Sequence, residues 1–305
     1  MPSVTKISIK GTVIWLTCAV FFMYEFLLRT ILGTFEHPIT HDLNLNLIQF
    51  ALLSSTAYLI VYSIMQIPVG IIVDKFGLKK TLFWACLICS LSVFGFGMTH
   101  TFNSAVVFRV LMGLVSSFGF ICLLVAVYDW MPQQNLALFI GLSQLIGTMG
   151  PIFAAGPINS LASASHVDWR SVFFLLGIIG MLIAFVVLMV VRNSKNYTGS
   201  FQIIKRTNSV VNSLYSLLRQ PQAWLIALYS GAIYFTIEYL SENSGKEFLM
   251  LHGYTSNITS FMVTVSWIGY AIGCPLLGFI SDRTGSRKPM MILSSLLSLF
   301  SVIYP

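Results

Sequence analysis

Long apolar runs joined by short polar connections make up most of the chain. The clearest run, SVFFLLGIIGMLIAFVVLMVV at 171–191, contains no charged residue. About 18 apolar residues are enough to cross a bilayer as a helix, and the runs lack the period-two alternation of barrel strands. The pattern predicts an all-α polytopic membrane protein with nine spans, at residues 11–35, 47–73, 80–98, 104–127, 135–159, 171–191, 222–241, 257–280 and 289–305.

The composition excludes an ordinary soluble domain. Hydrophobic residues make up 56% of the chain and charged residues 9%, and the mean hydropathy is +0.84. A soluble protein with so few charges would expose large apolar patches and aggregate. The five cysteines fall inside apolar runs, where they are packing residues rather than metal ligands or a redox pair. Because the sequence has no phosphate-binding G-x-x-x-x-G-K-S/T loop and no nucleophile or zinc-ligand pattern, we expect no enzyme, no cofactor and no metal.

One connection is long and polar, and it predicts the boundary between two helical bundles. It covers residues 192–221 and carries Arg192, Lys195, Lys205, Arg206 and Arg219. We therefore expect a six-helix bundle at 1–191, a cytoplasmic linker at 192–221 and three helices of a second bundle at 222–305.

The distribution of Lys and Arg predicts the orientation. With the N-terminus inside, thirteen of these residues fall in inner segments, and only Arg170 and Lys246 fall in outer ones. Positive charge in short loops marks the cytoplasmic side. We expect a monomer in a bacterial inner membrane with a cytoplasmic N-terminus. The net charge of +7 then reflects topology and contact with anionic lipid, and it does not point to nucleic acid.

The same charged sequence pattern occurs twice, 208 residues apart, as GIIVDKFGLKK at 70–80 and GFISDRTGSRK at 278–288. Two ordinary inner loops would explain the bases but not the shared frame of glycine, acid, base and glycine. A helical bundle repeated within one chain is typical of secondary transporters. We therefore expect two equivalent gating loops, formed by Gly70, Asp74, Lys75, Gly77 and Lys80, and by Gly278, Asp282, Arg283, Gly285, Arg287 and Lys288.

Both loops, with FRVLMG at 108–113 and DWRSVFF at 168–174, resemble the major facilitator superfamily of transporters. The resemblance covers essentially the whole chain and implies two six-helix bundles that work by alternating access. It also implies that Asp282 faces the start of the fifth helix, near residues 134–137. The corresponding acid, Asp74, would face the start of an eleventh helix.

A narrower resemblance concerns the first two spans. MQIPVGIIVDKFG at 65–77, together with Arg29, is similar to the organic anion:cation symporter branch of that superfamily. Its members often carry Tyr-x-Asp-Arg in the first helix, where the arginine contacts the substrate carboxylate. In this chain Leu28 stands in place of the acid, and Tyr24 and Glu25 lie one turn earlier.

Glu25 and Arg29 are candidates for coupled binding of an anion and a proton. They are four residues apart, so they share one face of a helix, and ionisable residues inside a membrane usually face a partner or a watery cavity. Arg29 would bind the anion and Glu25 would carry the proton, unless the two only neutralise each other. Further candidates for substrate contact are Tyr24, Tyr58, Tyr62, Arg109 and Tyr234.

Two of these candidates have an alternative role. Arg109 either supplies a second charge to the cavity or ties the fourth helix to the first, and the stripe of Tyr58 and Tyr62 is either a site or packing. The predicted function is symport of a small organic anion with protons. The alternatives are transport of amino acids, peptides, nucleosides or drugs, or a truncated chain that does not transport.

Equal repeats would place the end of the second bundle at about residue 400. We therefore expect six packed helices followed by three loosely docked ones, with Asp74 against no helix N-terminus. We also expect no uptake by residues 1–305 alone.

Overall fold

The computed structural model describes residues 7–160, 168–194, 215–238 and 245–303. In these ranges all regular secondary structure is helical. Most of the predicted linker, including Lys195, Lys205 and Arg206, lies outside the described residues, so the boundary between the two bundles stays a prediction.

In the described part of the chain, nine helices correspond to the nine predicted spans. They are α1 Ile9–Thr34, α2 Leu47–Phe76, α3 Leu78–Gly97, α4 Phe102–Trp130, α5 Gln133–Ile158, α6 Trp169–Val190, α7 Pro221–Glu238, α8 Ser256–Thr284 and α9 Lys288–Ile303. Seven spans, in α1 to α6 and in α8, are long and apolar enough to cross a membrane. Two short helices, Glu36–Asp42 and Gly245–Leu251, lie in the connections before α2 and α8.

Polar side chains fix the first turns of several helices. The side chains of Ser8, Thr101 and Asp168 accept hydrogen bonds from backbone N–H groups in the first turns of α1, α4 and α6. Asn46 and Gln49 form a reciprocal capping box at the start of α2. These contacts satisfy donors that would otherwise be left without a partner at a helix end.

Two of the spans are locally irregular. α2 contains a π-helical segment, Leu52–Thr56, and α5 ends in another, Ala154–Ile158. The second lies next to Pro151 and contains Pro157, and a proline removes one backbone hydrogen bond of the helix. The sequence pattern predicted the spans but not these segments.

The hydrophobic core lies in the first bundle. α1 is its central helix and contacts α4, α5 and α6, while α3 packs between α4 and α6. Of the described side chains after residue 194, only Thr259, Trp267 and Ala271 are buried. These three belong to α8, which packs along α5. No described side chain of α7 or α9 is buried, as expected for loosely docked helices, whereas the close packing of α8 on α5 differs from the predicted loose docking.

Candidate functional site

A cavity of about 510 Å³ lies between the two bundles. Its wall combines side chains of α1, α2, α4 and α5 with side chains of α7 and α8. The volume falls within the range of about 300–1,000 Å³ that is typical of small-molecule sites. The two bundles therefore form one shared site, which is the position that the transporter prediction requires.

The charged wall of the cavity belongs to α1. Phe22, Glu25, Phe26 and Arg29 line it at helical spacing, as expected for one face. Arg29 lies over the ring of Phe26, with 5.4 Å between the guanidinium carbon and the ring centroid. A guanidinium held against an aromatic ring still presents N–H donors that match the two oxygens of a carboxylate.

Glu25 is only 2% exposed, although it lines the cavity. The hydroxyl of Tyr58 donates a hydrogen bond to Glu25 Oε2 at 3.2 Å. Gly119 on α4 leaves room for this carboxylate, because a Cβ there would lie 3.0 Å from Glu25 Cγ. A buried carboxyl is costly without partners, and the Tyr58 hydroxyl supplies one of them.

The remaining lining is aromatic and neutral polar. It consists of Tyr62, Phe120, Gln144, Ser230, Tyr234 and Tyr270. Tyr62 and Tyr234 were predicted as substrate contacts, and the structure brings them to the same cavity as Arg29. Gln144 could have been noticed as a polar residue within an apolar run, whereas Ser230 and the phenylalanines carry no distinguishing sequence signal.

Two predicted contacts lie elsewhere and need correction. Tyr24 does not line the cavity: it is 3% exposed, and its hydroxyl donates to the backbone carbonyl of Leu176 on α6 at 2.9 Å. Tyr58 is fully buried behind Glu25. It stacks on Tyr62, with 6.1 Å between the ring centroids. The geometry gives Tyr24 a packing role and lets Tyr58 act only through Glu25.

Arg109 ties three helices together and does not reach the cavity. It is fully buried, and its guanidinium donates to the backbone carbonyls of Leu28 and Arg29 on α1 at 2.9 and 3.2 Å. It also donates to the carbonyls of Leu53 and Ser54 on α2 at 3.1 and 2.6 Å. Of the two roles left open by the sequence, the geometry favours the structural tie.

The second charged loop is docked on α5, as predicted. Asp282 accepts hydrogen bonds from the backbone N–H groups of Ala137 and Leu138, at 3.3 and 2.8 Å. A carboxylate at a helix N-terminus is stabilised by these free donors and by the helix dipole. Gly278 allows close contact, because a Cβ there would clash with the backbone carbonyl of Ala137.

The first charged loop makes different contacts. Asp74 is exposed, and no hydrogen bond or ion pair joins it to another residue of the described ranges. The loop instead docks on Asn193, whose side-chain oxygen accepts a hydrogen bond from the backbone N–H of Lys79 at 2.9 Å. Of the remaining bases of the two loops, Lys75, Lys80, Arg283, Arg287 and Lys288 are exposed.

The fold and the cavity define a polytopic helical membrane protein with a site between two bundles. The family model of the Major Facilitator Superfamily matches residues 15–305. The chain belongs to this superfamily, which confirms the predicted class.

Several curated relatives transport or export small molecules. The chain is 26% identical to a probable galactarate/D-glucarate transporter of Escherichia coli, over 79% of this chain and 61% of the relative. It is 25% identical to the hexuronate transporter of Bacillus subtilis, over 85% of this chain and 61% of the relative. It is 27% identical to a tetracenomycin C resistance and export protein of Streptomyces glaucescens, over 68% and 39%. The chain therefore spans 39–61% of the length of these relatives.

Solved structures share the fold at low sequence identity. A bacterial homologue of the human lysosomal transporter Spinster, in an inward-facing unoccupied conformation, matches with a TM-score of 0.65 and 20% identity, over 91% of this chain and 64% of that one. A proton:xylose symporter bound to 6-bromo-6-deoxy-D-glucose matches with a TM-score of 0.67 and 11% identity, over 94% and 78%. These matches support the two-bundle helical architecture.

Proposed function

We propose that the protein is a secondary transporter that moves a small organic anion together with protons by alternating access. The observation that carries this proposal is the cavity between the bundles, in which Arg29 and Glu25 occupy one wall. We place the protein in an inner membrane, in contact with lipid, as a monomer with a cytoplasmic N-terminus.

Arg29 supports an anionic substrate. Its guanidinium lies on the cavity wall beside Phe26, so a carboxylate in the cavity can meet two parallel donors. Gln144, Ser230 and Tyr270 add neutral polar groups that suit hydroxyl groups of the same molecule. Relatives named for galactarate, D-glucarate and hexuronate fit this chemistry, and a sugar acid is therefore our first choice of substrate.

Glu25 is the proposed proton carrier. It lies on the same wall as Arg29, one helical turn away. An anion bound at Arg29 favours the neutral form of a neighbouring carboxyl, and by linkage a neutral carboxyl favours the bound anion. The two ligands then enter the cavity together, which is what symport requires.

The seam between α5 and α8 is the proposed inner gate. Gly141 lies against the backbone of α8, where a Cβ would come within 2.5 Å of the Cys274 carbonyl oxygen. Gly278 and Asp282 hold the same two helices together further along. Opening this seam would expose the cavity to the other side of the membrane by a rigid-body movement of the bundles.

Drug export is the second candidate. Six of the ten lining residues are aromatic, a surface that also suits a flat apolar molecule. The relatives include an export protein and an efflux pump of Mycolicibacterium smegmatis. An exporter would bind apolar compounds without any requirement for Arg29, and this difference separates the two candidates.

Uptake in proteoliposomes by the protein at the full length of its relatives tests the proposal. Labelled galactarate and D-glucuronate are compared with glucose and with an apolar dye, with and without an imposed proton gradient. We expect uptake of an acid that rises with the gradient and falls about tenfold or more in Arg29→Lys, because lysine lacks the planar fork. Arg219→Lys is the matched control, since Arg219 is exposed and does not line the cavity. Gradient-driven movement of the dye alone would favour export.

A further inference from the structure

A second, smaller cavity lies next to the first, between α1 and α2 and beside the short helix that follows α1. Its volume is about 80 Å³, and Arg29 lines it as well as the central cavity. We propose that this side pocket is a second anion subsite, which holds the carboxylate of an organic acid before the molecule reaches the central cavity. The inference rests on the proposed transport of organic anions and assigns a further site to it.

The side pocket is polar although it belongs to two membrane-spanning helices. Arg29, Thr30, Glu36, Ser54 and Ser55 contribute to its wall. Polar side chains at such positions are expensive in an apolar protein, and they usually mark the path of a substrate or an ion. The hydroxyl groups can donate to a carboxylate, and Glu36 can accept hydrogen bonds from substrate hydroxyls.

The backbone around the pocket is fixed in a non-standard geometry. Ser54 and Ser55 belong to the π-helical segment Leu52–Thr56, and such segments occur frequently at functional sites. Arg109 holds this segment by donating to the carbonyls of Leu53 and Ser54. The buried guanidinium of Arg109 thus lies behind the pocket and adds positive charge on the side away from solvent. The two guanidinium groups of Arg29 and Arg109 together outweigh the single carboxylate of Glu36, so the pocket favours an anion.

The size of the pocket defines what it can hold. About 80 Å³ is well below the range of about 300–1,000 Å³ for a complete small-molecule site. A carboxylate group with its first hydroxyl-bearing carbon fits this size, whereas a whole sugar acid needs the central cavity of about 510 Å³. Because Arg29 borders both spaces, its side chain can keep contact with the carboxylate as the molecule passes from one to the other.

Charge-selective labelling of Ser54→Cys tests the subsite without knowledge of the substrate. The probes are two methanethiosulfonates of similar size, one with a sulfonate and one with a trimethylammonium group. We expect the anionic reagent to react about tenfold faster at this position, because local positive charge concentrates anions. His100→Cys is the control, since His100 is exposed in the polar connection before α4, outside the membrane spans, and does not line the pocket. The wild-type chain, whose cysteines are buried or half-buried, gives the background.

Two further variants test whether Arg29 and the space of the pocket cause the preference for the anionic reagent. Arg29→Gln in the Ser54→Cys background should reduce the preference to about that of His100→Cys, because it removes the charge shared by both cavities. Gly33→Leu should slow both reagents, since no described atom lies within 4 Å of a Cβ at Gly33 and the leucine can fill the pocket. Faster reaction with the cationic reagent, equal rates at Ser54→Cys, or no reaction there would each overturn the subsite.

The transport proposal and the subsite proposal can be refuted independently of each other. Anion preference at Ser54→Cys without uptake of any acid would keep the subsite and remove the proposed function. Uptake of an acid without anion preference would keep the function and remove the subsite.

Discussion

The two charged loops have the same sequence frame but different surroundings. In both, the second glycine ends a helix with a positive φ, 84° at Gly77 and 62° at Gly285. The first glycine and the acid differ. Gly278 and Asp282 pack on α5, whereas a Cβ at Gly70 meets no described atom within 4 Å and Asp74 is exposed.

This difference separates local structure from tertiary role. The glycine that ends each helix is required by the local backbone conformation, because a left-handed conformation is strained for other residues whatever surrounds the turn. The acid and the first glycine matter only where another helix is close. The shared sequence pattern therefore specifies two helix ends at a glycine with positive φ, whereas only the second loop docks on α5 in the described part of the chain.

The largest expected difference between the loops concerns the first glycine. Gly278→Leu should lower the free energy of unfolding by about 3 kcal/mol, because the new side chain must separate α5 from α8. Gly70→Leu should change it by less than about 0.5 kcal/mol, as for a substitution that meets open space. Thermal unfolding in detergent micelles measures both, and equal effects would contradict the assigned contacts.

For the second glycine, substitution should destabilise the protein more in the first loop than in the second. Gly77 has φ 84° and ψ 158°, a region that is almost exclusive to glycine, and a Cβ there would lie 2.6 Å from Asn193 Nδ2. We expect Gly77→Ala to cost about 2 kcal/mol. Gly285→Ala, at an ordinary left-handed helix end, should cost about 1 kcal/mol. Chemical denaturation measures both losses. A greater loss for Gly285→Ala than for Gly77→Ala would contradict the conformations assigned to these two turns.

Substitution of the two acids should give the smallest difference in stability between the loops. Asp282→Asn keeps the shape but removes the charge and one acceptor at the start of α5, at a cost of about 1 kcal/mol. Asp74→Asn should be neutral within about 0.5 kcal/mol in the same assay, because the residue is exposed. A greater loss of stability for Asp74→Asn would show that the Asp74 carboxylate has a docking partner of its own.

The apolar pattern was sufficient to predict the spans, because helices in lipid must satisfy their own backbone and need a minimum length. It also predicted the pairing of Glu25 with Arg29 on one face. Tyr24 was placed wrongly because it lies on the face of α1 that packs against α6, where its hydroxyl donates to the Leu176 carbonyl. The tie of Arg109 to α1 was one of its two predicted roles, but its contacts with α2 were not predicted, because they are made to backbone carbonyls of an irregular segment.

Buried hydroxyl groups provide a way to sharpen the role of Glu25. Tyr58→Phe removes the donor to Glu25 but keeps the ring beneath Arg109, whose guanidinium carbon lies 4.6 Å from the ring centroid. We expect a loss of about 1 kcal/mol in the free energy of unfolding and a shifted dependence of uptake on pH. Ser90→Ala is the control, since Ser90 loses a comparable buried hydrogen bond to the Gly177 carbonyl without contact to the cavity. The same pH profile in wild type and Tyr58→Phe would remove Tyr58 from the proton site.

The most direct test of the account is a measurement of protons taken up when the substrate binds. A pH indicator in weakly buffered solution reports this after galactarate or D-glucuronate is added to the purified protein. The account predicts net proton uptake by the wild type, none by Glu25→Gln that still binds the acid, and neither binding nor uptake by Arg29→Gln. Binding of the acid by wild type without proton uptake, or undiminished uptake by Glu25→Gln, would contradict coupling through Glu25.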